Sequence, residues 1–435
     1  MTEKEWSIRT SQEAIEMHER YIVQTYRPHK FVYARGRGVW VWNPEGERKM
    51  EMLSCYSALG GGHCHRDILQ AFVRQARRYW PGSNAFYNDV APLFAKELVE
   101  FCEMAKVLPI NTGAEAVERA IKIARKWGYT CKENVGDSLG FERVVDAVET
   151  AKTWGRKTKG IPLDTAQIIL CDNNFHGRTI TVISASSHDK YKRYFGPLTP
   201  GFTLIPYGDL AALEKAITPY TVAFLAEPIQ GEGGVVVPPE GYLKGAKRIC
   251  EKRNVLLVWD EIQTGLGRCG KRFAYQYEDA KPDILILGKF LGGGPGQVSA
   301  AVCNEKVASV LEYPEDGSTF QCHPIDCAAA LAALRLIQDE GLPERAFELG
   351  NYFRAELEKM KSPRIKEIRG RGLLIGVELK HELGGAEPFV TKLIEEGILC
   401  NQTREHTIRF APPLVITRRE IDWALKRVKK VLAGP

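Results

Sequence analysis

The chain has 435 residues, 44% hydrophobic and 26% charged, a globular balance long enough for two lobes around one large central domain. Its net charge of +6, from 60 Lys and Arg against 54 Asp and Glu, is too mild over this length to point to nucleic acid, and its 11 cysteines, odd in number and without a CxxC pair, argue for reduced thiols in a cytoplasmic protein rather than a disulfide framework. The N-terminal stretch lacks the apolar core of a signal peptide, and no apolar run approaches the roughly 18 residues of a membrane span.

In chain order, helical spacing runs from Ser11 to Tyr26, ahead of Pro28. Between 31 and 53, short strands are expected around turns: Phe31-Val-Tyr-Ala, then Gly38-Val-Trp-Val-Trp, then a turn at Asn43-Pro-Glu-Gly. Further on, buried-strand runs alternate with amphipathic helices. The runs are Val107-Leu-Pro-Ile, Ile168-Ile-Leu, Val222-Ala-Phe-Leu, Val255-Leu-Leu-Val-Trp, Ile284-Leu-Ile-Leu and Val298-Ser-Ala-Ala-Val, with helices such as 114–129 and 241–252 between them. Such alternation predicts a mostly parallel α/β sheet, with ligands beyond the carboxyl ends of its strands. Polar, glycine-bearing residues 130–164 read as an inserted excursion. Helices at 328–340 and 343–361, a strand at 372–379 and a last helix at 418–432 suggest a smaller α+β domain.

The strand ends carry the chemistry. Val258-Trp-Asp260 ends an apolar strand in a carboxylate, and Ile284-Leu-Ile-Leu-Gly288-Lys289 ends another in an amine. Alone, the first reads as a cap and the second as a solvated terminus. Together they match what pyridoxal chemistry needs: a lysine to form a Schiff base and shuttle a proton, and a carboxylate to keep the pyridine nitrogen protonated. Asn111-Thr-Gly113-Ala114 precedes a helix whose first amides can bind phosphate, unless Thr112 is simply a cap. Asn174-Phe175-His176-Gly177-Arg178 offers an aromatic to stack on a ring and a guanidinium to grip a carboxylate; alone it would be a surface loop with a Phe anchor.

These segments, with Tyr56-Ser-Ala, Gly62-His-Cys-His65, Ala85-Phe-Tyr-Asn88, Glu227-Pro-Ile-Gln-Gly-Glu232, Asp260-Glu-Ile-Gln-Thr-Gly265, Gly317-Ser-Thr319 and Ile408-Arg-Phe-Ala-Pro-Pro, resemble the class III, fold-type I aminotransferases over nearly the whole chain and in their order. Within that family the likeness is nearest to the ornithine aminotransferases. The resemblance implies a pyridoxal 5'-phosphate enzyme with a mostly parallel seven-stranded sheet, helices on both faces, and a small α+β domain. It implies an N-terminal segment 1–60 packing with the small domain, a large cofactor domain 61–323, and the small domain 324–435. It also implies a homodimer or dimer of dimers, with no nucleic acid or membrane partner and no metal.

By position, Lys289 resembles the Schiff-base lysine and Asp260 the partner of the pyridine nitrogen. Gln263 would bond the phenolic oxygen, Gly113 and Ala114 the phosphate, Thr319 the phosphate from the other subunit, and Phe175 the ring face. Glu227 would support the cofactor. Arg409 resembles the arginine that takes the α-carboxylate of glutamate or 2-oxoglutarate, and Glu232 its switch partner. Arg178 would hold the distal carboxylate, Tyr56 the α-amino group of ornithine, and Tyr87 would shape the pocket. The implied reaction moves the terminal amino group of ornithine or a similar basic amino acid to 2-oxoglutarate, giving a semialdehyde and glutamate. Alternatives are another ω-aminotransferase, taking lysine, acetylornithine or a diamine, or an amino acid racemase or aminomutase on the same fold. Gly294-Pro-Gly-Gln297 and Gln321-Cys-His323 depart from the family pattern. His63-Cys-His65 lacks the further ligands of a metal site, and Gly292-Gly-Gly294 lacks the ending of a nucleotide loop.

Overall fold

The computed structural model describes residues 8–129 and 159–433. The excursion expected at 130–164 falls almost wholly outside the described residues. Seven strands form the central sheet in the order β4-β10-β9-β8-β7-β5-β6. They are β4 (Lys106–Ile110), β5 (Gln167–Cys171), β6 (Phe202–Ile205), β7 (Thr221–Ala226), β8 (Leu256–Asp260), β9 (Ile284–Leu287) and β10 (Ser299–Cys303). Pairings among β5 to β9 are parallel, and β10 alone runs against its neighbours β4 and β9.

The expected α/β class holds, and the alternation of side chains explains it. Ile168, Leu170, Ala223, Leu225, Leu256, Val258, Ile284 and Ile286 share one hydrophobic cluster with the helix Gly113–Tyr129. The residues between them, Ile169, Phe224, Leu257, Trp259 and Leu285, join the opposite cluster with the helices Ala91–Cys102 and Pro324–Asp339. Both faces are therefore buried, which is why these strands read as unbroken apolar runs. The sixth strand escaped that reading. It lies at the sheet edge, and its half-buried Phe202-Thr-Leu-Ile leaves no continuous run.

Two smaller sheets flank the large one. One orders β1 (Arg35–Arg37), β2 (Trp40–Trp42), β3 (Arg48–Glu51) and β13 (Ile398–Leu399), so an N-terminal strand pairs with one from near the C-terminus. The other orders β11 (Ile365–Arg371), β12 (Leu374–Leu379), β15 (Thr407–Phe410) and β14 (Asn401–Thr403). The strand expected at Phe31–Ala34 is absent; only its last residue pairs, the Ala34 amide donating to the Trp42 carbonyl at 2.9 Å. The first helix stops at Tyr21 rather than Tyr26, because it buries no side chain and meets β-branched Ile22 and Val23. The last helix spans Arg418–Leu432 as expected, with a capping box in which Thr417 and Glu420 satisfy each other's amides. Among the described residues, no helix is long and apolar enough to cross a membrane.

One close approach ties the turn between β11 and β12 to the segment that follows β8. Gly350, inside the helix Leu342–Lys359, faces the turn at Gly372, and a Cβ there would lie 1.9 Å from the Gly372 carbonyl oxygen. Gly372 in turn abuts the backbone of Arg268 and Cys269. Gly350→Ala should therefore destabilise the protein by at least about 2 kcal/mol, despite alanine's better helix propensity. A thermal midpoint at or above wild type would contradict this packing.

Candidate active site

Parallel strands deliver their last residues to one edge, and the chemistry collects there. A cavity of about 180 Å³ is lined by Gly113, Ala114, Phe175, Glu232, Asp260, Gln263 and Lys289, together with His176, Gly177 and Glu227. Asp260 closes β8 and is buried. Its Oδ1 accepts from the Ile262 amide at 3.0 Å, and its Oδ2 lies 2.6 Å from His176 Nδ1. His176 is itself buried, and the Asp260 carboxylate holds its pKa above the ordinary histidine range against the opposing effect of desolvation. Lys289 follows Gly288 just past β9 and adopts φ +52°. Desolvation in the cavity pushes its amine below the ordinary lysine range, favouring the neutral, nucleophilic form.

At the first turn of the Gly113–Tyr129 helix, the Gly113 and Ala114 amides have no intrahelical acceptor. Thr112 does cap the helix, with its hydroxyl accepting from the Glu115 amide at 3.3 Å, yet that leaves the two amides before it free to meet an anion. Phe175 lines the same space, and its backbone amide donates to Glu227 Oε1 at 3.0 Å. Glu227 Oε2 accepts from the Gly231 amide at 3.1 Å. Burial raises the Glu227 pKa to about 7, with the Asp260 charge adding to the effect and His176 opposing it.

A second charged group crosses the cavity mouth. Arg409, on β15, is buried, and its Nη1 donates to Glu232 Oε1 at 2.5 Å. Burial would raise the Glu232 pKa, but the charge and hydrogen bond of Arg409 outweigh it and hold the carboxyl below its usual range. Gln263 joins them, its Nε2 donating to Glu232 at 3.2 Å. That contact needs Gly231, where a Cβ would collide with Gln263 Oε1 at 1.5 Å. Arg409 Nε and Nη2 are buried without an acceptor among the described residues, an open fork of the kind that takes a carboxylate. The Tyr56 ring lies 5.1 Å from the Arg409 guanidinium carbon.

Not every expected residue meets the others. Arg178 is exposed beside Phe175 and Tyr191, its guanidinium carbon 5.6 and 4.0 Å from their ring centres. Tyr87 and Thr319 lie on a different, open cavity with Gln321, Cys322 and His323, and Tyr87 is fully solvent-exposed. The His176–Asp260 contact was not foreseen. His176 stood in a segment read for its aromatic and its cation, and its partner lies 84 residues away.

A desolvated amine, a buried carboxylate held by an imidazole, an aromatic wall and free helix-terminal amides make a donor set that fits pyridoxal phosphate. The sequence comparisons agree. The family model for class III aminotransferases matches residues 21–432. The chain belongs to the class III aminotransferases. It is similar to an ornithine aminotransferase of Geobacillus sp. (strain WCH70), 49% identical across 97% of this chain and 98% of that protein. It is similar to one from Bacillus subtilis (strain 168), 46% identical over 97% and 98%. Among solved structures, the ornithine aminotransferase from Toxoplasma gondii, described with partial occupancy of PLP at its active site, superposes with a TM-score of 0.89. The two are 42% identical across 99% of this chain and 95% of that one. An acetylornithine aminotransferase from Elizabethkingia anophelis gives 0.82 and 39%, covering 98% and 99%. This class III aminotransferase is thus a pyridoxal-phosphate-dependent enzyme acting on a small amino donor and a keto acid acceptor.

Glu227 yields a pH prediction for this aminotransferase. Its folded pKa of about 7 lies above the ordinary 4.5, so the native state holds a proton that the unfolded chain releases. Its contribution to stability is present below about 4.5 and is lost as pH rises through 7. Glu227→Gln removes that loss. Denaturation midpoints measured side by side should show the variant gaining on wild type as pH rises through this window; a constant difference would contradict the assignment.

Proposed function

We propose that this enzyme moves the terminal amino group of ornithine, or of a similar basic amino acid, to 2-oxoglutarate, giving a semialdehyde and glutamate. The observation that carries the reading is the Glu232–Arg409 pair with the Tyr56 ring against it. A pocket that must take a donor with a terminal amine and then a dicarboxylate faces two substrates of opposite character. With Glu232 covering Arg409, the wall presents no free cation to the donor. When a dicarboxylate arrives, its α-carboxylate can replace Glu232 on a guanidinium whose Nε and Nη2 are already free of protein partners. Tyr56, with Asn401 beside its hydroxyl, would receive the donor's α-amino end.

The remaining roles follow from position. When bound, pyridoxal phosphate supplies an electron sink for the carbanion formed at the substrate carbon. Lys289 would hold the cofactor covalently, and its amine, once released, would carry the proton away from the substrate carbon. Asp260, steadied by His176, would face the pyridine nitrogen and keep it protonated. Gln263 would meet the phenolic oxygen, Phe175 the ring face, and Gly113 and Ala114 the phosphate. Arg178 would take the distal carboxylate of 2-oxoglutarate. Thr319 and Tyr87 would serve the site of a partner subunit in a homodimer. In support, both are solvent-exposed on an open cavity, in company with exposed Phe86.

An amino-donor panel with 2-oxoglutarate as acceptor tests the reading: ornithine, acetylornithine, lysine and a diamine. Ornithine should give the highest kcat/KM, and preference for acetylornithine would overturn it. Glu232→Ala should expose Arg409 to the donor's carboxylate and lower kcat/KM for ornithine by about tenfold or more, since the cation is then unmasked. Turnover of ornithine that is unchanged in this variant would contradict the switch.

A further inference from the structure

Tyr56 stands on an unusual piece of backbone. Ser54, Cys55, Tyr56 and Ser57 have φ values of +50°, +45°, +58° and +81°, four successive residues in the left-handed region and none of them glycine. Single residues visit this region with a penalty from Cβ crowding, and a run of four persists only when its surroundings hold it. The hydroxyls of Ser54 and Ser57 do not hold it, since both are buried without a partner. Backbone bonds close the turn from Leu59 to Ser54 at 3.0 Å, from Ala58 to Cys55 at 3.3 Å and from Ser57 to Leu53 at 3.5 Å, but they use carbonyls at the entry and leave the Leu53 and Ser54 amides to another acceptor.

The entry is secured by Glu51, the last residue of β3. Its side chain is buried, and its Oε1 accepts from both the Leu53 and Ser54 amides at 2.8 Å. Its Oε2 accepts from the Tyr33 hydroxyl at 2.7 Å. Among the described residues, these are the side-chain hydrogen bonds made to the entry of the turn. Burial, reinforced by the Glu51 charge, pushes the Tyr33 phenol well above its ordinary range, so it remains a donor. Met52, between clamp and turn, accepts from the Ala411 amide at 2.7 Å, two residues past Arg409. The clamp, the turn and the strand that carries Arg409 are thus one connected frame.

We propose that Glu51, assisted by Tyr33, is a positioning residue that holds the left-handed turn so that Tyr56 stands against Arg409, and thereby sets the enzyme's selectivity for its amino donor. The role in selectivity rests on the reading of Tyr56 given above; the clamp itself does not. Geometry separates the acceptors. Both backbone amides go to Oε1, so a glutamine can keep them and offer its amide to the Tyr33 oxygen. A methionine of the same length can keep neither.

The experiment compares Glu51→Met, Glu51→Gln, Tyr33→Phe and Tyr56→Phe in the PLP-loaded enzyme, with two readouts. Hydrogen–deuterium exchange should show the Leu53 and Ser54 amides exchanging about tenfold faster in Glu51→Met and nearly unchanged in Glu51→Gln, as expected when a buried acceptor is removed or kept. KM for ornithine should rise about tenfold in Glu51→Met with kcat little changed, while glutamate in the reverse direction is affected by no more than about twofold, the size of the lost positioning contact. The double variant Glu51→Met/Tyr56→Phe should be no worse than Tyr56→Phe alone, because Glu51 acts through Tyr56. Unchanged exchange, or equal and additive losses with both substrates, would overturn the proposal. Should wild type reject ornithine, the donor reading falls, while exchange and the Glu51–Tyr56 coupling, read with the donor it does accept, still decide the clamp. Should Glu51→Met fail to fold, Tyr33→Phe decides it: faster exchange at the two amides supports the clamp, and wild-type exchange overturns it.

Discussion

Asp260 and Lys289 are carried to the same edge of the sheet by β8 and β9, which pair in parallel from Val258 opposite Ile284 to Asp260 opposite Ile286. Everything chemical in the molecule is arranged around that placement. A carboxylate this deep is tolerable only when it is hydrogen-bonded, and the Ile262 amide and His176 supply the bonds. An amine in the same cavity loses water and becomes a better nucleophile. The opposite charges around it, from Glu232 and Asp260, limit how far its pKa falls. The fully buried strands beneath fix the spacing of the two groups, because a slip of either would exchange its side chains between two close-packed apolar faces, each fitted to its own helices.

The acidic and basic groups at the cavity mouth work on a different principle. Arg409 comes from the small antiparallel sheet and Glu232 from the loop after β7, so the pair bridges two separately built parts of the chain. Arg268 reinforces the join. Fully buried and, among the described residues, without a carboxylate partner, it donates to the carbonyls of Leu373 and Pro412, and burial lowers its pKa to about 10. A guanidinium spent on backbone carbonyls fixes the segment just past Arg409. A breakable ion pair is thus mounted on a buried frame, as the proposed switch between two substrates requires.

How much of this was readable in the residues depended on where each feature's cause lay. Asp260, Lys289, Phe175 and the Gly113–Ala114 amides follow strand ends, and an apolar run that stops at a charged or small residue declares itself locally. The sheet was legible for the same reason, except for β6, whose edge position halves its apolar signal. Contacts made only by folding were not legible. His176 reaches Asp260 across 84 residues, and Glu51 is an ordinary acid in a short strand until the turn after it proves left-handed. Segment 31–34, rich in β-formers, forms no strand: a single bond, from the Ala34 amide to the Trp42 carbonyl, makes no ladder, and propensity alone does not supply one.

The central claim is that one lysine, on one strand end, carries the cofactor. Borohydride treatment of the PLP-loaded protein, followed by peptide mapping, tests it most directly. The account predicts a phosphopyridoxyl modification on Lys289 and on no other lysine. Modification of a different lysine, or none in protein that is visibly coloured by the cofactor, would contradict it.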